Sequence, residues 1–287
     1  QIITDLIDAV NLLSNEPIRP GGATKKAANT LLGKVHLTLG NTTEAITALG
    51  EVTGSLLSNY EDNFGIENEN SNESLFEIQF TKGGIGEGSP YANLFAPFGA
   101  TELIGGVGTT AGDNLPTEDL YNSYEIGDVR RDATLGFAST SVLYTKKYLD
   151  TPSSNRDGEN NFIVLRYADV VLMLAEALNE QGYVADGEAF DLINSIRSRA
   201  GVSDLTSLTT PNQEAFRNAM VNERRWEFAF ENHRWFDLIR AGRAIEVMNA
   251  HTSLTGILET VTSNNLVYPI PQSQINTSDL FTQNPGY

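Results

Sequence analysis

Cysteine is absent from the 287 residues. Disulfides, thiolate metal sites and cysteine nucleophiles are therefore excluded together. Histidine is scarce: His36, His233 and His251 stand far apart, with no HExxH or similar pairing. No imidazole-built metal site is expected from such spacing. Basic residues are few, 19 against 37 acids, for a net charge of -18. A duplex-binding surface needs clustered Lys and Arg, so nucleic acid is not an expected partner. No apolar run approaches the ~20 residues that span a bilayer. The opening residues carry no signal-peptide pattern. Instead Gln1 to Leu13 has helical apolar spacing without an N-terminal cap. That predicts a helix entered partway, with sequence upstream of Gln1.

What is present is mostly helical patterning. Hydrophobic residues make up 40% of the chain, enough for a sizeable core. From Ala23 to Leu39, Ala27, Leu31, Leu32, Val35 and Leu39 share one face. Gly40-Asn41 stops this helix, and Thr43 to Leu57 predicts a second one. Leu32-Gly33-x-x-His36 and Ala45-x-x-x-Leu49 resemble elements of a tetratricopeptide hairpin, with small residues where the helices approach. A second hairpin is expected from Phe162 to Leu178 and from Glu188 to Ala200, with Gly201 as its stop. Glu73 to Phe80 alternates as a short strand. Residues 82–116 hold nine of the 25 glycines, together with Tyr91, Phe95 and Phe98. Such glycine density predicts a long irregular segment without helix. Long loops of this kind inside compact domains are often functional. The Pro-punctuated end, 251–287, is expected to be extended and to wrap over helices.

Few motifs carry chemistry. Gly106-Val-Gly-Thr-Thr-Ala111 matches GxGxxA, but Gly112 and Pro116 follow where a dinucleotide site needs a helix. Asn155-Arg-Asp-Gly-Glu-Asn160 lacks calcium-loop spacing and reads as a turn. No cofactor or metal is expected. Carboxylates are plentiful, so a glycosidase pair stays open as an alternative, although no pair stands out from the general acidity.

The densest stretch is Asn222-Glu-Arg-Arg-Trp-Glu-Phe-Ala-Phe-Glu-Asn-His-Arg-Trp-Phe-Asp-Leu-Ile-Arg240, which holds both tryptophans. Read as one helix, it has apolar groups on several faces. Its i,i+3 pairs would be Arg224 with Glu227, Glu231 with Arg234, Arg234 with Asp237 and Asp237 with Arg240. Aromatics at helical spacing are core by default, so the stretch is read as scaffold and not as a site.

The same stretch, continued to Ala244, resembles the signature helix of the SusD/RagB family, nutrient-binding surface lipoproteins of Bacteroidetes. Leu115-Pro-Thr-Glu-Asp-Leu120 with Asp128-Val-Arg-Arg131, Leu165 to Ala177, Ile193 to Gly201, Tyr268-Pro-Ile-Pro271 and Gln283 to Tyr287 resemble further family blocks in order. The resemblance implies a mainly α fold: tetratricopeptide-like hairpins supporting an irregular, loop-rich ligand-binding lobe with a few short strands. As a single domain it would divide into repeat-like helices (1–58), lobe (59–160), helical scaffold (161–250) and tail (251–287). It implies non-catalytic capture of a glycan at the outer face of the outer membrane. The captured glycan would pass to a SusC-like TonB-dependent transporter. Membrane attachment would be through a lipid anchor on a cysteine this chain does not contain. A helical-repeat interaction scaffold without glycan affinity is the other alternative. Within the lobe, Tyr91, Phe95 and Phe98 are expected as stacking platforms. Asn93, Glu102, Asp113 and Asn114 are the expected hydrogen-bond partners for sugar hydroxyls. Tyr121 and Tyr124 are expected to pack behind the lobe.

Overall fold

The structure is a computed structural model and describes residues 1–139, 141–255, 260–278 and 280–287. Helix dominates it. In chain order the elements are α1 (Ile2–Leu12), α2 (Lys25–Thr38), α3 (Thr42–Gly50), β1 (Ser74–Ile78), α4 (Tyr91–Phe95), α5 (Glu118–Ser123), α6 (Val129–Thr134), β2 (Leu135–Phe137), β3 (Leu143–Thr145), β4 (Phe162–Arg166), α7 (Tyr167–Gln181), α8 (Glu188–Ala200), α9 (Gln213–Glu227), α10 (Arg234–Arg240), α11 (Ala244–Thr255) and α12 (Gln272–Ile275). The chain divides into two compact units, Gln1–Glu231 and Asn232–Tyr287.

In the first unit α7 is the axis. It is buried on most sides, apolar from Val170 to Ala175, with Asp169 as a buried charge. Val170, Met173 and Ala177 face Leu37, Ala45 and Leu49 of the α2–α3 hairpin. Val171, Leu172 and Ala175 face Phe190, Ile193 and Ile196 of α8 and Phe216 and Met220 of α9. The hairpin depends on Gly33, where a Cβ would overlap the Leu49 side chain. The expected face of α2 is kept in part: Ala27 and Leu32 are buried, but Leu31 and Leu39 are exposed, and Thr30, Gly33 and Leu37 are buried instead.

Three expected spans are corrected. The second helix ends at Gly50, not Leu57. The chain must leave it there, because Gly54 passes so close to the Tyr167 ring that a Cβ would lie 2.5 Å from Cδ2. Phe162 to Arg166 is strand, paired antiparallel with β1. Its β-branched and aromatic run suits a pleated, half-buried surface better than a helix start. Finally, the glycine-rich segment does contain helix. Tyr91–Phe95 forms a short α turn in the glycine-free interval after Pro90.

The Asn222–Arg240 stretch is also two helices, not one. α9 ends at Glu227, and Phe230 (φ 68°) and Asn232 (φ 64°) break the backbone before α10. A helix end leaves carbonyls without partners. Here side chains from elsewhere in the first unit take them. Tyr60 Oη and Arg166 Nη2 donate to Glu227 O at 2.7 Å each, Lys147 Nζ to Ala229 O at 2.8 Å, and Tyr148 Oη to Phe230 O at 2.9 Å.

The charges of this stretch reach farther than i,i+3. Glu227 meets Arg130, Arg166 and Arg199. Glu231 meets Arg166 at 2.8 Å and Lys147 at 2.7 Å. Glu223 meets Arg130 at 2.6 Å and Arg197 at 2.9 Å. Arg224 turns to Asp169 at 2.7 Å. Of the expected i,i+3 pairs, Asp237 with Arg240 is formed, at 2.9 Å. Glu73, at the mouth of β1, closes the network onto Arg166 and Arg199. Burial alone would raise the Glu227 carboxyl, but Arg199, Arg166 and Arg130 outweigh it and hold it well below the usual carboxylate range. Burial pushes the Lys147 ammonium down to about 8, against the pull of Glu231. The stretch is therefore scaffold: it collects α6, β4, α8 and the ends of β1 and β3 around one buried ionic centre.

The second unit holds α10, α11, a 3-10 turn at Ser263–Leu266 and α12. Its tail is not fully extended but folds back on itself. Ile270 and Gln283 exchange two hydrogen bonds, N to Oε1 at 2.8 Å and Nε2 to O at 2.9 Å. Asn284 Nδ2 donates to Tyr268 O at 2.7 Å. Residues 256–259 and 279 of the expected tail lie outside the described residues.

Candidate binding lobe

The lobe is built outward from the ionic centre. Tyr148, whose hydroxyl caps Phe230 O, stacks on Phe162 of β4 with centroids 5.5 Å apart. Tyr91 packs against both rings and against Phe80, and Phe95 packs against Tyr91 and Tyr148. These rings fasten α4 to the strand pair. Tyr91 and Phe95, expected as stacking platforms, are thus engaged as anchors of the lobe. Both rings are half-buried, and the parts of them that meet other rings are closed to a sugar.

Asn93 is likewise committed to structure. It is buried; its Nδ2 donates to Val107 O and Thr109 O, and its Oδ1 accepts from Arg156 N at 2.8 Å. Around it the glycine-rich chain is pinned. Ala111 N, Gly112 N and Asp113 N donate to Asn93 O, Ala96 O and Leu94 O at 2.8–2.9 Å. Thr110 Oγ1 donates to Pro97 O at 2.7 Å. Gly112 sits at φ 73°, where an L side chain is strained, and a Cβ would stand a tight 3.2 Å from Phe98 N. No helix follows the GxGxxA stretch until α5 at Glu118. Its turn instead clasps Asn155, whose Oδ1 accepts from Thr109 N at 3.0 Å.

The 155–160 turn is a second clamp. Asp157 accepts from Gly83 N at 2.9 Å, from Gly84 N at 2.8 Å and from the Ser153 hydroxyl. These donors, the Ser153 hydroxyl foremost, hold its carboxyl below the usual range. A long glycine-rich loop is therefore held at several points by backbone and side-chain bonds.

On this frame Phe98 stands 88% exposed. The pinned 110–115 segment lies beside it and carries exposed Asp113, Asn114 and Leu115. Glu102 is exposed on the next turn, Thr101–Ile104. Of the seven expected site residues, the structure brings Phe98, Asp113 and Asn114 to one edge, with Glu102 nearby. It withdraws Tyr91, Asn93 and Phe95 into the support. Leu115 was missed, and its only signal was adjacency to the Pro116 turn. Tyr124 packs on Trp226 as expected, whereas Tyr121 is half-exposed, edge-on to Phe137 and under Arg131.

Two concavities bear on catalysis and binding. Glu69, raised from its ordinary value by burial, and Glu77 line a cavity of about 10 Å³. That is room for about one water, far below the ~300–1,000 Å³ of ligand pockets. A cleft of about 330 Å³ opens between the 15–24 loop and the start of β1. It is lined by Asn15, Glu16, Asn70, Ser71 and Asn72, with Phe76 as its ring. Among the described residues no group of three or more His, Asp or Glu side chains could hold a metal ion.

The candidate site is thus a rigid, loop-built edge with an exposed ring, carried on a helical scaffold. Residues 108–287 match the SusD family, and the chain belongs to that family. SusD-like protein P25 of Formosa agariphila is 30% identical, with 86% of this chain and 55% of the relative aligned. The chain spans about half the length of the curated relatives it matches. A laminarin-binding SusD-like protein of solved structure superposes with a TM-score of 0.80 at 27% identity, over 99% of this chain and 68% of that one. Surface glycan-binding protein A of Bacteroides thetaiotaomicron, solved with laminarihexaose, superposes with a TM-score of 0.82 at 22% identity, over 98% of this chain and 69% of that one. At that identity the likeness is one of fold.

Proposed function

We propose that the chain binds a glycan at the Phe98 edge and performs no chemistry on it. The observation that carries this is a nearly fully exposed phenylalanine on a backbone immobilised from both sides. Leaving such a ring in water forgoes about 1.5–3 kcal/mol of burial, which a sugar's apolar face would recover. Asp113, Asn114 and Glu102 supply acceptors and an amide for hydroxyls, and hydrogen bonds to a charged carboxylate are the stronger kind. Preorganisation by Asn93 and Asp157 lowers the entropy lost on capture. The glycans named for two structural neighbours support the same class of ligand. In the whole protein, capture serves import. The protein is held at the outer face of the outer membrane by a lipid anchor and delivers its glycan to a SusC-like TonB-dependent transporter.

The glycosidase alternative cannot use the cavity at Glu69, which does not admit a sugar ring, and at the cleft lined by Glu16 and Glu77 it is tested by release of reducing ends. A second reading places a saccharide unit in the amide-lined cleft near Asn72, whose volume is sufficient. Affinity electrophoresis through polysaccharide gels, with a reducing-end assay alongside, tests the proposal. Retardation without sugar release is expected, and release of reducing ends would overturn it. Loss of retardation on Asn72→Ala but not on Phe98→Ala would move the site to the cleft.

A further inference from the structure

Between Lys82 and Arg130 there is no Lys, Arg or His. The same 47 residues, which include the whole Phe98 edge, contain seven acids. Three are spent within the fold: Asp128 on Arg130, Glu125 on Arg197 and Asp119 on Arg225. Glu87, Glu102, Asp113 and Glu118 are exposed and form no ion pair among the described residues.

The cations that the rest of the first unit brings to this region do not offset them. Lys82 is paired with Glu159 at 3.0 Å, Arg131 with Asp132 at 2.8 Å, and Arg225 with Asp119. Arg156, whose amide joins Asn93, is exposed and makes no ion pair among the described residues. At the Phe98 edge itself, Asp113 and Glu102 have no cation paired with them among the described residues.

We propose that the lobe prefers uncharged glycans and disfavours sulfated or uronic-acid ones. The inference rests on the reading of the Phe98 edge as a glycan site. A sugar stacked on Phe98 comes within about a Debye length, ~8 Å at physiological salt, of Asp113, whose backbone is bonded to the adjacent α4 turn. At that range a like charge in water weakens binding by roughly twofold per carboxylate at low salt, and by less at physiological salt, where it is screened. Asp113 and Glu102 together then disfavour an anionic glycan by roughly fourfold at low salt. A neutral glycan meets the same carboxylates as hydrogen-bond acceptors and loses nothing.

The test uses the full chain in affinity gels at low and high salt. The probes are laminarin, amylopectin and galactomannan, each beside its own sulfated derivative, so that backbone and linkage are constant within a pair. The expected result is retardation by at least one neutral polymer and at least roughly fourfold weaker retardation by its sulfated partner at low salt, with the gap narrowing at high salt. The Glu102→Gln/Asp113→Asn double variant, which keeps hydrogen-bonding capacity, is expected to narrow the gap at low salt. Equal or stronger retardation by the sulfated partner at low salt overturns the inference and leaves the glycan reading intact. Retardation by no polymer, neutral or sulfated, overturns the glycan reading and this inference with it.

Discussion

Replacing Arg166 by Met removes the cation that joins Glu73, Glu227 and Glu231. The guanidinium is 1% exposed and meets all three carboxylates, donates to Glu227 O and lies 4.5 Å over the Phe228 ring. Met keeps the apolar stem packed, so the loss is electrostatic. It strands buried carboxylates, and removing one partner of a buried pair costs about 3–5 kcal/mol. For a unit of this size each kcal/mol moves the melting temperature by about 2–4 °C, so a fall of about 6–20 °C is expected. Arg217→Ala is the control. Arg217 is partly exposed and pairs with Glu180 and Glu214 at the surface. An exposed pair contributes under about 1 kcal/mol, so a shift of at most ~4 °C is expected. Circular dichroism melts of both variants beside the parent give the comparison. Arg166→Met melting within ~4 °C of the parent would refute the argument that a buried ionic centre holds the scaffold together.

The network also predicts a pH profile. Glu227 titrates lower in the fold than its ordinary value of 4.5, so its contribution is present above about pH 4.5 and is lost as pH falls below it. Urea midpoints should drop through that window, with a shallower drop in Arg166→Met. Lys147 also titrates lower in the fold, at about 8 against an ordinary 10.5. The unfolded chain then binds more protons between those values, so this group makes stability rise from pH 8 toward 10. Lys147→Met should flatten the rise over that range. Gly33→Val forces a side chain into Leu49 and should cost about 1–3 kcal/mol in urea unfolding; a neutral result would mean the hairpin is not closely packed there. Asp157→Ala frees the Gly83 and Gly84 amides, and hydrogen exchange at 83–86 should speed up while the α7 amides stay protected.

The helices were legible because their signals are local. Glu188–Ala200 with Gly201 in the left-handed conformation (φ 75°) follows the predicted bounds. The apolar periodicity of α7 was clear, but Phe162 to Arg166 carries the same apolar run and belongs to a strand. Pairing with β1 decided that, and pairing is not a local property. Likewise the run from Asn222 to Arg240 has helical spacing throughout. It breaks at Phe230 because Lys147, Tyr148 and Arg166 take the carbonyls that a continuous helix would use. Tyr60, Lys147, Tyr148 and Arg166 lie more than 60 residues from those carbonyls in sequence, so no window reveals them. In the lobe, composition identified the segment but not the side of each ring. Tyr91, Phe95 and Phe98 look equivalent in sequence. Phe80, Phe162 and Tyr148 pack on Tyr91, Tyr148 packs on Phe95 as well, and Phe98 is left in solvent.

The account is tested most directly by titrating an oligosaccharide of whichever neutral polymer retards the parent chain into that chain and into Phe98→Ala by calorimetry. Binding by the parent is expected, with affinity reduced about 5–30-fold in the variant, equivalent to about 1–2 kcal/mol of lost ring burial, and with an unchanged melting temperature. Equal affinity in parent and variant would contradict the placement of the site on Phe98.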